Sequence, residues 1–162
     1  MGAGRRPKMI GVLTAQLDDA YQSAVWRGIE GRARARGVGV VSLLGRRIDS
    51  PVASEAAANV AFRIVDSRTV DGMIVISTAI ATFLVRERME RVFATWAAVP
   101  LVSVGMEIPG IASVTVDDSK RVTEVVRHLA RDHGRSRFAL IAGPAGHPEA
   151  EERTRAFRAA LG

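Results

Sequence analysis

Short apolar runs alternate with amphipathic stretches along the chain. The runs at 9–14, 38–44, 73–76 and 101–105 are almost continuously apolar and end at polar or turn residues, as strands covered on both faces of a sheet do. Three longer stretches repeat apolar residues at about 3.6-residue spacing. This spacing predicts helices at 21–36, 53–67 and 82–96. This alternation predicts an α/β fold with a doubly wound parallel sheet.

A further strand, helix and strand unit starts at Val114. Its helix follows an acidic pair, Asp117 and Asp118, either of which can cap the first turn, and it ends at Gly134. The apolar run at 138–141 predicts another strand, which stops at a Gly-Pro pair. After a Gly/Pro-rich turn, a final helix is predicted to close the chain.

Composition narrows the class of protein. With 162 residues, 48% of them apolar and 25% charged, the chain is long enough for one globular core. It has no cysteine, which excludes a disulfide scaffold and a thiolate metal site. The longest apolar runs are of strand length, so we expect no membrane span and a cytoplasmic protein.

The net charge of +6 raises the question of a nucleic-acid partner. The arginines are scattered over the predicted helix faces and often stand beside carboxylates, which is typical of solvated faces. A helix-turn-helix motif around Gly134 would need the strand-like run FALIAGP as its second helix. We therefore expect no direct nucleic-acid contact from this chain.

Enzyme, cofactor and metal sites find little support. The segment after the first strand, TAQLDDAY, has no glycine, GPAGHPEAE lacks the Lys-Ser/Thr of a nucleotide-binding loop, and no Gly-x-Ser-x-Gly occurs. His128 and His133 are five residues apart, so a continuous helix would point them to different faces. We expect His128, His133 and His147 to be surface residues, and we expect no metal and no cofactor.

Polar residues cluster where the predicted strands end. Because the carboxyl ends of parallel strands meet at one edge of a sheet, together they predict a small-molecule cleft, although each residue alone is also explained by a helix cap or a turn. The residues are Asp18, Asp19 and Tyr21 after the first strand, Ser77 and Thr78 after the third, Gly105 and Met106 after the fourth, and Asp117.

The order of several segments resembles a known family. IGVLT, VDGMIVIS, VPLVSVG, the Val-Asp-Asp segment with its helix ending in His-Gly-Arg-Ser-Arg, and ERTRAFRAAL together resemble the ligand-binding core of LacI-type regulators. That core has the type I periplasmic-binding-protein fold, and the resemblance covers residues 10–161. The segments LDDAYQSAVWRGI and GPAGHPEAEERTRAFRAAL look closest to a subgroup in which this core is the sensory input of bacterial signalling proteins.

The resemblance implies two lobes that close on a ligand. A basic tail at 1–8 would precede a first lobe at 9–113, and residues 114–162 would form the hinge crossing and the first part of an incomplete second lobe. The implied ligand contacts are Asp18, Tyr21, Ser77 and Met106 in the first lobe, Asp117 at the hinge and Arg153 in the second lobe.

The implied function is the sensing of a small-molecule effector of the sugar or nucleobase class. A cytoplasmic homodimer in a bacterial signalling regulator is the first hypothesis. The alternatives are the effector core of a LacI-type repressor that lacks its DNA-binding head, and an enzyme on a doubly wound sheet. Since a core incomplete in its second lobe exposes apolar surface and strand edges, we also expect self-association.

Overall fold

The sheet of this protein is parallel and five-stranded in the computed structural model, which describes residues 6–162. The strands are β1 (Met9–Thr14), β2 (Gly39–Leu44), β3 (Gly72–Ile76), β4 (Leu101–Val104) and β5 (Ala112–Val114), in the order β2-β1-β3-β4-β5. All four strand pairs are parallel, so the predicted parallel sheet is confirmed. Most of the predicted basic tail at 1–8 lies outside the described residues.

Helices connect the strands. They are α1 (Ala20–Arg34), α2 (Ala53–Ala58), α3 (Ser77–Ile80), α4 (Arg86–Ala94), α5 (Asp118–Arg131) and α6 (Pro148–Leu161), and a 3-10 turn (Asn59–Arg63) continues α2. The predicted left-handed stop at Gly37 is confirmed by its φ of +66°. No helix in the described part of the chain is long and apolar enough to span a membrane.

The core lies around the central strands β1 and β3. Val12 and Leu13 in β1 and Val75 and Ile76 in β3 are fully buried, as the continuous apolar runs predict for strands covered on both faces. Phe93 on α4 is buried against the edge of the Trp96 ring, with ring centroids 5.4 Å apart. This packing fixes the positions of the carboxyl ends of β1 and β3 at one edge of the sheet.

Two helices differ from their predicted bounds. The helix predicted at 53–67 tightens into the 3-10 turn at Asn59, whose side-chain amide donates to the carbonyl oxygens of Gly45 and Arg47 after β2. The helix predicted at 82–96 begins only at Arg86, because Leu84 is buried in the core just before it. Helix α3 follows β3 directly, at a position where the sequence pattern predicted a turn.

The strand predicted at 138–141 is wrong. Residues 135–144 form no strand, and Ile141 is 99% exposed. An apolar run becomes a strand only where a neighbouring strand takes up its backbone hydrogen bonds, and in the described structure β5 pairs only with β4. Helices α5 and α6 instead pack on each other, with the Ser119 hydroxyl donating to Glu152 at 2.7 Å.

Candidate functional site at the strand ends

A cleft of about 660 Å³ lies where the carboxyl ends of β1 to β4 meet. The loops after β1 and β2, helix α3 and the first residue after β4 line it together with the start of α5 and α6, and we call it the strand-end cleft. This is the edge at which open parallel sheets bind ligands. Its lining residues are Ala15, Gln16, Asp19, Tyr21, Gln22, Arg46, Arg47, Glu55, Thr78, Ala79, Thr82, Gly105, Val116, Asp118, Arg121 and Glu149.

Gln22 holds the end of β1 in place beside the cleft. Its side-chain oxygen accepts hydrogen bonds from the Thr14 hydroxyl at 2.7 Å, from the Ala15 N–H at 3.1 Å and from the Gln16 N–H at 3.0 Å. Three donors fix which end of the amide is the oxygen, so the NH₂ group of Gln22 faces away from them. Gln22 lines the cleft, and this NH₂ group has no partner among the described residues, so it is available as a donor to a ligand there.

Arg46 enters the cleft from the end of β2 with a left-handed backbone, at a φ of 60°. Its N–H donates to the Ala15 carbonyl at 3.2 Å, and its guanidinium donates to the Gln16 side-chain oxygen at 2.5 Å. A left-handed non-glycine residue costs roughly 1–2 kcal/mol, and such strained residues concentrate at ligand sites. The two contacts to the loop after β1 therefore hold Arg46 in a position that its own backbone disfavours.

Arg47 and Glu55 form an ion pair in the cleft wall. The Arg47 Nε donates to Glu55 Oε2 at 2.9 Å, and the guanidinium carbon lies 5.3 Å from the centroid of the Phe83 ring. The hydrogen bond from Arg47 lowers the pKa of Glu55, and the Arg46 charge adds a smaller effect in the same direction. The charge of Arg47 is thus already matched within the protein.

Arg153 joins the start of α5 to α6. Its Nη1 donates to Asp118 Oδ2 at 3.1 Å and lies 3.6 Å from Glu149 Oε2. Burial raises the pKa of Glu149, although the Arg153 charge acts in the opposite direction. One guanidinium therefore contacts both carboxylates at this end of the cleft, and its single charge is shared between them.

The predicted first-lobe residues lie at different depths. Tyr21 lines the cleft and is half exposed, whereas Asp18 is exposed and does not line it. Its neighbour Asp19 lines the cleft and caps α1 by accepting the Gln22 N–H at 2.8 Å. Ser77 is fully buried beneath the cleft, with its hydroxyl oxygen 2.6 Å from that of Ser103.

Two of the other predicted residues, Met106 and Asp117, line an adjacent cavity of about 900 Å³. Met106 is only 2% exposed. Asp117, rather than Asp118, caps α5 by accepting the Lys120 N–H at 3.1 Å. Arg153 lines neither of these two cavities. For all six residues, contact with a ligand stays a prediction.

Several cleft residues escaped sequence reasoning, among them Gln22, Arg46 and Arg121, whereas Thr78 was predicted at this edge and lines the cleft. Arg46 follows the second strand. The rule that ligands bind at the carboxyl ends of parallel strands applies to this strand as it does to the others. Arg121 lies one helical turn beyond Asp117. Gln22 carried no signal, because a glutamine next to Tyr21 on an amphipathic helix looks like an ordinary surface residue.

His128 and His133, near the end of α5, lie side by side. The prediction that they point to different faces is wrong. The Nε2 atoms of His128 and His133 lie 3.0 Å apart, because α5 ends at Arg131 and Gly134, at a φ of +60°, turns the chain back. His128 Nδ1 is 2.6 Å from Asp132 Oδ2. Among the described residues, no group of three or more His, Cys, Asp or Glu is arranged to hold a metal ion.

The family model of periplasmic binding proteins and the sugar-binding domain of the LacI family matches residues 7–162. The chain belongs to this family. The match covers almost the whole LacI-family chain described above, including the strand-end cleft and both helices α5 and α6. The resemblance seen in the order of its segments, and the fold class predicted with it, are therefore confirmed.

Solved structures share the fold of this LacI-family chain. A LacI family transcriptional regulator from Mycobacterium smegmatis is 25% identical, with a TM-score of 0.73 over 94% of this chain and 50% of that one. The lac repressor dimer bound to operator and the anti-inducer ONPF is 24% identical, with a TM-score of 0.76 over 98% and 52%. Transcription regulator CcpA of Lactococcus lactis is 22% identical, with a TM-score of 0.73 over 96% and 54%.

This LacI-family chain spans about half the length of those structures. No curated protein matches it by sequence. The fold and the ligand-binding family are thus established, while the effector and the output attached to it belong to the proposal that follows.

Proposed function

We propose that this chain is the effector-binding part of a LacI-type transcription regulator, and that a small molecule of the sugar or nucleobase class binds in the strand-end cleft. The observation that carries the proposal is the cleft itself. It lies at the carboxyl ends of a parallel sheet in a chain of this family, and polar side chains from four separate segments line it. The named structural relatives are transcription regulators, which favours a regulator over a signalling sensor.

Binding is expected to use both parts of the chain. Tyr21 presents a ring at the cleft, and Asp18 and Met106 would contribute from the same first lobe at 9–113, while the fully buried Ser77 would support the cleft from beneath without touching the ligand. Asp117 stands at the crossing that follows β5, and Arg153 stands on α6. A guanidinium suits paired hydrogen bonds to a ligand, but here it would have to give up part of its contact with Asp118 or Glu149.

The mechanism is a shift between open and closed arrangements. The segment after Val114 carries α5 and α6, and the cleft is lined by residues on both sides of that segment. A ligand that touches both sides binds the closed arrangement better than the open one, so it raises the closed population. An attached DNA-binding head would report that shift.

Partners and location follow from the same proposal. We propose a cytoplasmic homodimer without catalytic activity, in which operator binding belongs to a part of the protein other than this chain. The sensory-input alternative keeps the same cleft and differs only in its output. An enzyme is the weaker alternative, because Ser77, next to the cleft residue Thr78, contacts the Ser103 hydroxyl instead of a base.

A thermal-shift screen of sugars and nucleobases tests the proposal. We expect at least one compound to raise the melting temperature in a concentration-dependent way. The substitutions Tyr21→Ala, Asp117→Ala and Arg153→Ala should then weaken its binding, while Ile64→Ala, on the exposed 3-10 connection, should not. A ligand whose affinity none of the three substitutions changes would place the binding site elsewhere.

A further inference from the structure

The carboxylates of the strand-end cleft are already engaged within the protein. Asp19 accepts the backbone N–H of Gln22, Glu55 is paired with Arg47, and Asp118 is paired with Arg153, which also matches Glu149. A carboxylate that is paired on one side keeps its remaining lone pairs for further donors, such as hydroxyl groups. The acidic residues therefore offer acceptors to a ligand, although Asp19 has no cationic partner in the described part of the chain and the single charge of Arg153 is shared by Asp118 and Glu149.

Two of the three arginines that line the cleft have no carboxylate partner among the described residues. Arg46 and Arg121 both line it, and across residues 6–162 neither guanidinium has a carboxylate within 4.0 Å. Arginine stays charged in proteins and carries five donors, of which Arg46 gives one to the Gln16 side chain. The free NH₂ group of Gln22 adds a neutral donor beside them.

The backbone of Arg46 strengthens this contrast. A left-handed arginine is disfavoured, yet three contacts to the end of β1 and its loop hold it there: Gly45 N–H to the Thr14 carbonyl, and Arg46 to Ala15 and to Gln16. Asp49 in the same loop is also left-handed, at a φ of 54°, but it is paired with Arg88 and does not line the cleft, whereas Arg46 does. Strain held in place by several contacts at a cleft is typical of a ligand clamp.

We propose that the effector is a polyhydroxylated small molecule that carries an oxyanion, with the oxyanion held by Arg46 and Arg121. This inference rests on the proposed function and names the ligand class of the same cleft. A carboxylate and a phosphate share the required chemistry, because each accepts charge-assisted, paired hydrogen bonds from guanidinium. The hydroxyl groups would donate to the remaining lone pairs of Asp19 and Asp118.

The two arginines belong to different sides of the crossing, which links anion binding to closure. Arg46 follows β2, and Arg121 lies on α5. Without an anion, bringing two like charges together opposes closure, and an oxyanion between them removes that opposition. A neutral sugar of the same shape leaves the repulsion in place, so it should bind more weakly.

The test is a titration calorimetry series on the 162-residue chain with matched pairs of compounds. The pairs are D-galactose with D-galacturonate, D-glucose with D-glucose 6-phosphate, and uridine with uridine 5′-phosphate, and inorganic phosphate and spermidine are titrated alone. We expect at least one acidic member to bind about tenfold or more tighter than its neutral partner. The galacturonate and phosphate pairs distinguish a carboxylate from a phosphate as the source of the oxyanion.

Variants connect the preference to the two arginines. Arg46→Gly accepts the left-handed backbone without strain, so a loss of binding in that variant reflects the missing guanidinium and not a damaged fold. Arg121→Ala should reduce the acidic-to-neutral preference by a similar factor, and Arg131→Ala, at the other end of the same helix, should leave it unchanged. Raising the salt concentration should weaken the acidic compound in the wild type more than in Arg46→Gly.

Each remaining outcome overturns the inference in a recognisable way. Neutral and acidic members that bind equally well would refute the anion and keep the proposed function. Inorganic phosphate that binds as tightly as the acidic sugars would refute the polyhydroxylated part. Spermidine as the tightest compound would show that the carboxylates dominate. Binding of none of these compounds would refute both the inference and the proposed function.

Discussion

Gly105 approaches Thr78 so closely that a Cβ atom on Gly105 would lie 2.7 Å from Thr78 Oγ1. Gly105 follows β4 with a φ of +97°, and Thr78 is in α3 after β3. Both residues line the strand-end cleft. The cleft therefore depends at this point on a missing side chain, for reasons of both space and backbone conformation.

Gly105→Ala should destabilise the protein and narrow the cleft. The left-handed backbone contributes about 1–2 kcal/mol and the clash with Thr78 about 1–3 kcal/mol more. Gly110→Ala is the matched control, because Gly110 has a φ of +76° but nothing within 4 Å of its added Cβ. Urea unfolding should show a larger loss for Gly105→Ala than for Gly110→Ala, and Thr78→Ala should recover part of the difference. Equal losses in the two variants would mean that the Thr78 side chain moves away from the added Cβ atom at little cost in free energy.

Gln22→Ala should weaken the end of β1. It removes the acceptor for the Thr14 hydroxyl and for two backbone N–H groups, and Thr14 is fully buried. A buried donor left without a partner costs about 1–3 kcal/mol, so we expect a loss of at least about 2 kcal/mol in the free energy of unfolding. Gln22→Glu keeps the acceptor and should recover much of that loss, as chemical denaturation would measure. A loss for Gln22→Glu as large as for Gln22→Ala would show that the oxygen is not what matters.

Ser77→Ala should affect stability rather than ligand binding. The Ser77 hydroxyl is fully buried and donates to the Ser103 hydroxyl at 2.6 Å, because the Ser103 hydroxyl donates its own hydrogen to the Met106 carbonyl at 2.6 Å. Its removal should lower the free energy of unfolding by about 1 kcal/mol and leave ligand affinity within about twofold. Measured side by side, Tyr21→Ala should show the reverse order of effects. A large loss of affinity in Ser77→Ala would restore Ser77 as a direct ligand contact.

The fold was accessible from sequence because its signals are local and repeated. Buried parallel strands require continuous apolar runs, such as the one around Leu13, and left-handed helix stops require glycine, as at Gly37. The strand predicted around Ile141 shows the limit of this reasoning. Its apolar residues are those of a strand, but strand formation depends on a partner elsewhere in the protein, which no local pattern reports.

The site was accessible only in outline. The rule that ligands bind at strand carboxyl ends located the cleft, and it correctly placed Tyr21 there. It did not separate Ser77 from Thr78, because which of two adjacent side chains faces the cavity depends on how α3 leaves the strand. It also passed over Arg46, whose importance comes from a backbone conformation and from contacts to a loop 30 residues away in sequence.

The stability of the fold should fall on acidification through His147. The prediction that His147 is a surface residue is wrong, because its side chain is only 7% exposed, and its Nδ1 has no hydrogen-bond partner in the described structure. Burial lowers the pKa of His147, the Arg153 charge acts in the same direction, and Glu151 acts against both. The unfolded chain therefore binds a proton near pH 6.5 that the folded state refuses, and stability is lost as the pH falls from about 6.5 towards the folded-state pKa.

Urea midpoints between pH 7.5 and 5.5 measure this effect. His147→Leu removes the titrating group at similar volume, so its midpoint should fall less than that of the wild type. Glu149 acts with the opposite sign, because its pKa is raised by burial, and it is present in both proteins. Parallel pH profiles for the wild type and His147→Leu would rule out His147 as the source.

The 162-residue chain should self-associate through the apolar surface of α5 and the segment after it. Ile141 is 99% exposed, and Val125, Leu129 and Leu140 are 58%, 36% and 38% exposed. Burying one isoleucine side chain contributes about 2 kcal/mol, so Ile141→Asp should weaken association by about tenfold or more. Sedimentation equilibrium over a concentration series measures the dissociation constant directly.

The control for Ile141→Asp is Ile64→Asp, since Ile64 is 66% exposed beside the 3-10 turn after α2. Both substitutions add the same charge and remove the same side chain, so only the position differs. If the surface of α5 carries the contact, Ile64→Asp keeps the wild-type dissociation constant while Ile141→Asp does not. A wild-type chain that stays monomeric at high concentration would show that this surface is stable in water. Equal weakening by both substitutions would mean that the added charge, and not the Ile141 contact, controls association.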